Sequence, residues 1–204
     1  SGVDECTAAP MGMSMSERPR STESALEAVI LGIFPKDHSQ PDFADCAGKW
    51  EWYGHHGLIT FDNASYNETM RLQASVLEFG GEVQFARPYH PEDKSDIEHF
   101  NHRVRSEFIV NEPGWAGPKE DRDMLEYGLG TAILTTDVFA RRLRRWTVDD
   151  YANKSCGKAG KTPRQAWSEF FSLLPPFLPK RVPSQELMGT VIDELTFRAS
   201  GGLL

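Results

Sequence analysis

Apolar positions change their spacing from one segment of the chain to the next, and each spacing predicts an element. Across residues 20–34, Ala25, Leu26, Val29, Ile30 and Ile33 recur at helical intervals. Ser21 or Thr22 stands where a helix cap is needed, and Pro35 stops the run. Leu58-Ile59-Thr60-Phe61 is short and almost wholly apolar, which predicts a buried strand closed by Asp62-Asn63. Residues 65–79 return to helical spacing, with Met70, Leu72, Val76, Leu77 and Phe79 expected to face mostly inward, and Gly80-Gly81 breaks them. Residues 83–86 predict a second short strand. Residues 88–93 read as a loop, and Pro91 is suited to open a helix from about residue 92 to 109. On that helix Ile97, Phe100, Val104 and Phe108 form one apolar stripe.

The remaining segments are simpler. Residues 8–15 read as extended, and residues 37–48 as a polar loop. Three turn formers, Pro113, Gly114 and Gly117, separate the stripe helix from a mainly helical stretch over residues 122–151. A short helix follows over Pro163–Leu173, then a Pro-rich linker over residues 174–179 and a last segment over residues 184–204. Strands alternating with helices indicate an α/β domain, and their brevity and apolarity predict a sheet covered on both faces. Ser1 stands where an initiator Met would be, and the chain enters an extended segment almost at once, so it is expected to begin inside a folded domain.

Composition narrows the class. At 204 residues and 39% hydrophobic content the chain can bury a core without disulfide or metal staples. No stretch of 18 apolar residues predicts a membrane helix, and the polar start predicts no signal peptide. Cys6, Cys46 and Cys156 are odd in number and far apart, which argues against both a disulfide framework and a zinc knuckle. His55-His56, His90, His99 and His102 fit no zinc-binding spacing. The net charge of −8 runs against the usual basic character of nucleic-acid-binding domains. Charge distribution matters more than the sum, and acidic metal ligands would contribute to it.

Two carboxylates and several cations are candidates for chemistry. Asp62 follows an apolar strand, where ligands gather in open α/β sheets; the alternative is a turn-forming Asp-Asn pair. Glu98 lies at the edge of the apolar stripe of its helix, with Lys94 and Arg105 on the same face and His102 beside them. The alternative there is a solvated face with charge pairs four residues apart. Arg141-Arg142 and Arg144-Arg145 could grip phosphates or simply line a solvated helix face. Trp50, Trp52 and Tyr53 could stack on bases or pack in the core beside a strand.

Taken together, these pieces resemble the catalytic core of DDE transposases and retroviral-type integrases. Thirty-five residues lie between Asp62 and Glu98, the family's spacing between its strand-end Asp and its helical Glu. Leu58-Ile59-Thr60-Phe61-Asp62-Asn63 resembles its apolar strand followed by Asp-Asn. Residues 86–101, with Arg87-Pro88, Pro91, Lys94, Ile97-Glu98 and Phe100-Asn101, resemble its Arg-Pro…Pro…Lys…Ile-Glu-x-Phe segment. Residues 146–167, with Tyr151-Ala152-Asn153 and Gly160-Lys161-Thr162-Pro163-Arg164-Gln165-Ala166-Trp167, resemble its closing segment. The long core and Pro-rich exit are closer to bacterial transposases of the phage Mu type.

The resemblance implies an RNase H-like α/β fold: a mixed sheet flanked by helices, lacking its N-terminal strand, over residues 3–175, with a linker and the start of a helical C-terminal extension over 176–204. It implies divalent-metal-dependent phosphoryl transfer on DNA, with strand cleavage and joining. Asp62 and Glu98 would hold Mg2+ or Mn2+ as two of three carboxylates, and Lys94, His102 and Arg105 would contact DNA. The third carboxylate lies on the family's first strand. In register, Asp4 falls on the second strand, so the first catalytic Asp is expected to be absent and this chain alone to be inactive. The expected partners are element ends and target DNA in a homo-oligomeric complex, with no membrane; the expected location is the bacterial cytoplasm, nucleoid-associated when active. The alternatives are a non-catalytic DNA-binding or assembly domain of the same fold, or another RNase H-like nuclease.

Overall fold

A computed structural model describes residues 1–15, 21–63, 70–117, 122–155 and 160–173. Cys156, residues 65–69, the Pro-rich linker and the segment 184–204 lie outside the described residues. Among the described residues four strands form two separate sheets: β1 (Gly2–Val3) pairs antiparallel with β2 (Pro10–Gly12), and β3 (Leu58–Phe61) pairs parallel with β4 (Glu82–Phe85). Six α-helices are described: α1 (Thr22–Ile33), α2 (Met70–Glu78), α3 (Ser95–Arg103), α4 (Arg122–Thr131), α5 (Thr136–Arg145) and α6 (Pro163–Leu173).

Helix α1 joins the two sheets. Ser21 caps it, its hydroxyl accepting from the Ser24 amide while the Ser24 side chain answers the Ser21 amide. One side of α1 meets β2 so closely that a Cβ on Gly12 would sit 2.1 Å from the Ala28 carbonyl oxygen, which only glycine avoids. Its Leu26, Val29 and Ile33 pack with Leu72, Val76 and Phe79 of the α2 segment, and Ile59, Phe61 and Val83 of the parallel sheet join that cluster.

Among the described residues the parallel sheet is covered on one face. Ile59, Phe61, Val83 and Phe85 point inward, whereas Leu58, Thr60, Glu82 and Gln84 are exposed. The expected two-sided burial is therefore corrected, because the strands alternate as a half-buried pair does. On α2 the inward set is Leu72, Val76 and Phe79, one turn apart. Met70 at 87% and Leu77 at 62% exposure lie on the opposite side, against the expectation that they face inward.

Two helices change phase in the same way. α3 runs into a π turn (Val104–Phe108) and a 3-10 turn (Ile109–Asn111), and α5 runs into a π turn (Trp146–Asp150) and a 3-10 turn (Tyr151–Asn153). Residues eight apart on an α-helix are offset by about 80°. One extra residue in a π turn removes about 100°, bringing such a pair back to one face. Phe100 and Phe108 are such a pair, and so are Leu143 and Tyr151; all four are buried in one cluster with Trp146. Phe100 meets Tyr151 edge-on at 4.9 Å, and the Tyr151 hydroxyl donates to the Ala8 carbonyl at 3.1 Å, tying this cluster to the β1–β2 hairpin.

A third cluster holds Ala9, Met11, Trp50, Trp52, Val148, Ala152 and Trp167. Arg164 of α6 locks it: its guanidinium donates to the carbonyls of Lys49 and Val148 and to Asn153, and lies 5.1 Å from the Trp52 ring centre. The indoles of Trp50 and Trp52 are core, which removes them as base-stacking candidates.

The two faces of α2 supply a direct test. Leu72→Ala should destabilise the chain by about 2–5 kcal/mol, because it leaves a cavity among fully buried neighbours. Leu77→Ala should stay within about 0.5 kcal/mol. Urea unfolding midpoints of the two variants check both.

Candidate functional site

Asp62 sits in the turn that leaves β3, exposed, at the C-terminal end of the parallel pair. The turn is fastened to β4: the Asn63 side-chain amide donates to the Ala86 carbonyl at 2.9 Å, and the Ala86 amide donates to the Phe61 carbonyl at 2.8 Å. Both strand ends are thereby fixed where the chain turns outward.

The connection from β4 to α3 is clamped on itself. Asp93 accepts from the Arg87 amide at 2.9 Å and from the Arg87 guanidinium at 3.0 and 2.7 Å, a two-pronged pair. Those bonds hold the Asp93 carboxyl well below the usual carboxylate range. The loop they close carries Tyr89, fully exposed and with φ +63°. A non-glycine residue in that conformation is uncommon, and it is sustained here by the clamp around it. The sequence reading passed over Tyr89, since neither its exposure nor its backbone angle leaves a mark in the residue pattern.

Beyond the clamp, a 3-10 turn (Pro91–Lys94) leads into α3. Glu98 is on the solvent side of α3, with its side chain 54% exposed, and takes the Lys94 ammonium at 3.1 Å. The expected position at the core boundary is thus corrected: Ile97 and Phe100 turn inward, and Glu98 faces water. His102 and Arg105 are also exposed, His102 one turn beyond Glu98 and Arg105 within the π turn. The structure therefore brings Lys94 to Glu98 and leaves His102 and Arg105 presented to solvent.

Among the described residues no group of three or more His, Cys, Asp or Glu side chains is arranged to hold a metal. Asp4, the acidic residue nearest the start, has a structural task. Its carboxylate accepts from the Thr7 amide at 3.2 Å and the Thr7 hydroxyl at 3.0 Å, closing the turn between β1 and β2. Cys6 and Cys46 are free thiols. No helix among the described residues is long and apolar enough to cross a membrane.

Two half-buried bases lie beside α1. Lys36 donates to the carbonyls of Met11 at 2.9 Å and Trp52 at 2.7 Å, and burial lowers its pKa to about 7. A neutral amine still has two N–H donors, so both bonds survive deprotonation. Burial, with smaller contributions from Lys36 and His55, lowers His56 to about 4. Where α1 passes this histidine there is no room for a side chain: a Cβ on Gly32 would lie 2.7 Å from the His56 ring.

The model of the TnsB C-terminal domain family matches residues 1–114, and the chain belongs to that family. It is a transposase-related protein, and a transposase-family domain implies an interaction with DNA. Asp62, the clamped loop and Glu98 all fall within the matched residues. No curated protein is similar enough to the chain to count as a match.

His56 makes stability depend on pH with a defined sign. Its folded pKa, about 4, is below its ordinary value of 6.5, so the unfolded chain binds more protons between those values and stability rises with pH across that window. The full change is about 3 kcal/mol. Thermal melts from pH 4 to 6.5 should show this rise in the parent chain, flattened in His56→Gln.

Proposed function

We propose that this chain forms most of the catalytic core of a DDE-type DNA transposase, on an RNase H-like sheet, with Asp62 and Glu98 as two of its three metal-binding carboxylates. The observation that carries the reading is the placement of Asp62 at the C-terminal end of a parallel strand pair, followed by a clamped loop and a helix that holds Glu98 open to solvent. The likeness to phage-Mu-type transposases rests on the long core and the Pro-rich exit.

The donor set suits a hard divalent cation. Two exposed carboxylates offer oxygen ligands of the kind Mg2+ and Mn2+ prefer, and such ions keep several waters, so few protein ligands suffice. Bound there, the cations would activate water or a DNA 3′-hydroxyl and stabilise the leaving oxygen. The protein's own contribution is positional: Asn63 fixes the Asp62 turn, and the Arg87–Asp93 clamp fixes the approach to Glu98. Tyr89 offers an exposed ring on which a base can stack, and His102 and Arg105 offer groups for phosphate oxygens. The third carboxylate is proposed to lie outside the described residues, since Asp4 is occupied in a turn. Element ends and target DNA are the proposed substrates, handled by a multimer.

A second reading, a DNA-binding or assembly domain of the same fold without catalysis, is favoured by the missing three-ligand group among the described residues and by the Lys94–Glu98 pair. The two readings part on a metal-dependent assay of a protein in which this chain is supplied with a third carboxylate. Catalysis predicts Mg2+- or Mn2+-dependent cleavage and joining, abolished by EDTA and lowered about a thousandfold or more by Asp62→Asn or Glu98→Gln, since each ligand contributes several kcal/mol at the transition state. The present chain should join no DNA. Activity indifferent to both substitutions would sink the catalytic reading.

A further inference from the structure

We propose that the outward ridge of α5, formed by Arg141 and Arg145, docks on the sugar-phosphate backbone of duplex DNA at a surface additional to Asp62 and Glu98. This rests on the DNA-interacting reading above and adds where the duplex lies. α5 buries Ala140 and Leu143 and half-buries Phe139. At about 100° per residue, Arg141 and Arg145 project from the side opposite those three. The two flanking arginines are already neutralised. Arg142 meets Glu112 at 3.0 Å, and that carboxylate is almost buried; Arg144 meets Asp42 at 3.1 Å. One ion pair holds each side of the helix, while Arg141 and Arg145 make no ion pair among the described residues. Thr135 caps the other end, so the ridge is rigid before any ligand arrives.

Most described cations are spent inside the molecule, in the pairs of Arg71, Arg87, Lys94, Arg103, Lys154 and Lys161 with carboxylates. An acidic protein that engages DNA needs a local surface where positive charge is uncompensated, and the ridge is one. Because α5 continues through its π and 3-10 turns, neither Arg141 nor Arg145 sits at a free helix end, and neither forms an ion pair among the described residues, although Asp137 stands one turn before Arg141. Side chains four residues apart stand about 6 Å apart at Cβ, on the order of the separation of neighbouring phosphates along one strand. The outward face carries one half-buried valine, Val138, and, among the described residues, no exposed large apolar side chain to enter a lipid surface. Asp149, Asp45, Arg144 and Arg145 all surround the Cys46 thiol, which burial and the two carboxylates push up, and Asp149 spends both oxygens on the amides of Ala47 and Gly48, at 2.9 and 2.8 Å.

The test measures binding of the whole chain to a fluorescein-labelled mixed-sequence duplex by anisotropy, over a series of salt concentrations. Two phosphate contacts contribute about −1.8 to the slope of log K against log salt. Arg141→Gln/Arg145→Gln should therefore flatten the slope by about 2 and weaken binding about tenfold or more at low salt. Arg141→Glu/Arg145→Glu should weaken it further, and circular dichroism should show both variants folded. If the parent chain binds and the Gln variant binds equally with the same slope, the ridge is refuted and the DNA reading stands. If the parent chain binds no duplex, both fall. If polyglutamate competes for the parent chain as well as unlabelled duplex does at equal charge, the ridge takes an acidic polypeptide, and the DNA assignment is overturned.

Discussion

Backbone touches backbone where β2 crosses α1, and the rest of the architecture follows from that contact. A side chain on Gly12 would collide with the Ala28 carbonyl, so the hairpin lies flush on the helix only because residue 12 has none. With β2 seated, α1 has its Leu26–Val29–Ile33 side free for α2 and the parallel sheet. A single capped helix is then the common wall of both two-stranded sheets, and whatever positions α1 positions the end of β3. Lys36 and His56 sit beside the same helix, which is why protonation there bears on global stability and not on one loop.

From that wall outward, order is maintained by directional bonds and less by apolar burial. The strand ends carry Asn63 to Ala86, the loop carries Arg87 to Asp93, and α3 begins only after those restraints are made. A loop so fastened can hold Tyr89 in an unfavourable backbone region and a fully exposed ring at the same time. The polar bonds at this edge restrain a set of exposed groups without covering them, an arrangement better suited to a large partner than to a small ligand that needs an enclosed pocket.

Legibility from sequence followed the range of the interactions involved. Helix α1 and strand β3 were readable because a capping serine, a stopping proline and an apolar run are local signals; the structure keeps Thr22–Ile33 and Leu58–Phe61 almost as the pattern drew them. The two π turns were not readable. They exist because Phe108 and Tyr151 must rejoin the face of Phe100 and Leu143, and that demand comes from the partner helix. Met70 and Leu77 misled for a related reason: apolar side chains often remain on surfaces, and only the 72-76-79 spacing separates the inward set. At the candidate site, the positions of Asp62 and Glu98 were legible as spacing, whereas the exposure of Glu98, its pairing with Lys94 and the posture of Tyr89 depend on contacts no window of sequence contains.

The Lys94–Glu98 pair can be weighed against the catalytic reading it was set beside. Both side chains are about half exposed, and an exposed pair one helical turn apart is worth about 0.3–0.5 kcal/mol. Coordination of a divalent cation by a carboxylate is far stronger, so the ammonium is no barrier to metal. In the absence of the cation, the same ammonium moderates the charge that a cluster of carboxylates would otherwise build up. A lysine one turn before the glutamate is therefore compatible with the proposed catalytic reading, in which its ammonium would balance carboxylate charge and stand near any phosphate brought to Glu98. Under the non-catalytic reading the pair is simply a solvated helix contact, and nothing in its geometry requires more. What separates the two is whether Asp62 and Glu98 share a cation, which the Lys94 contact neither requires nor forbids.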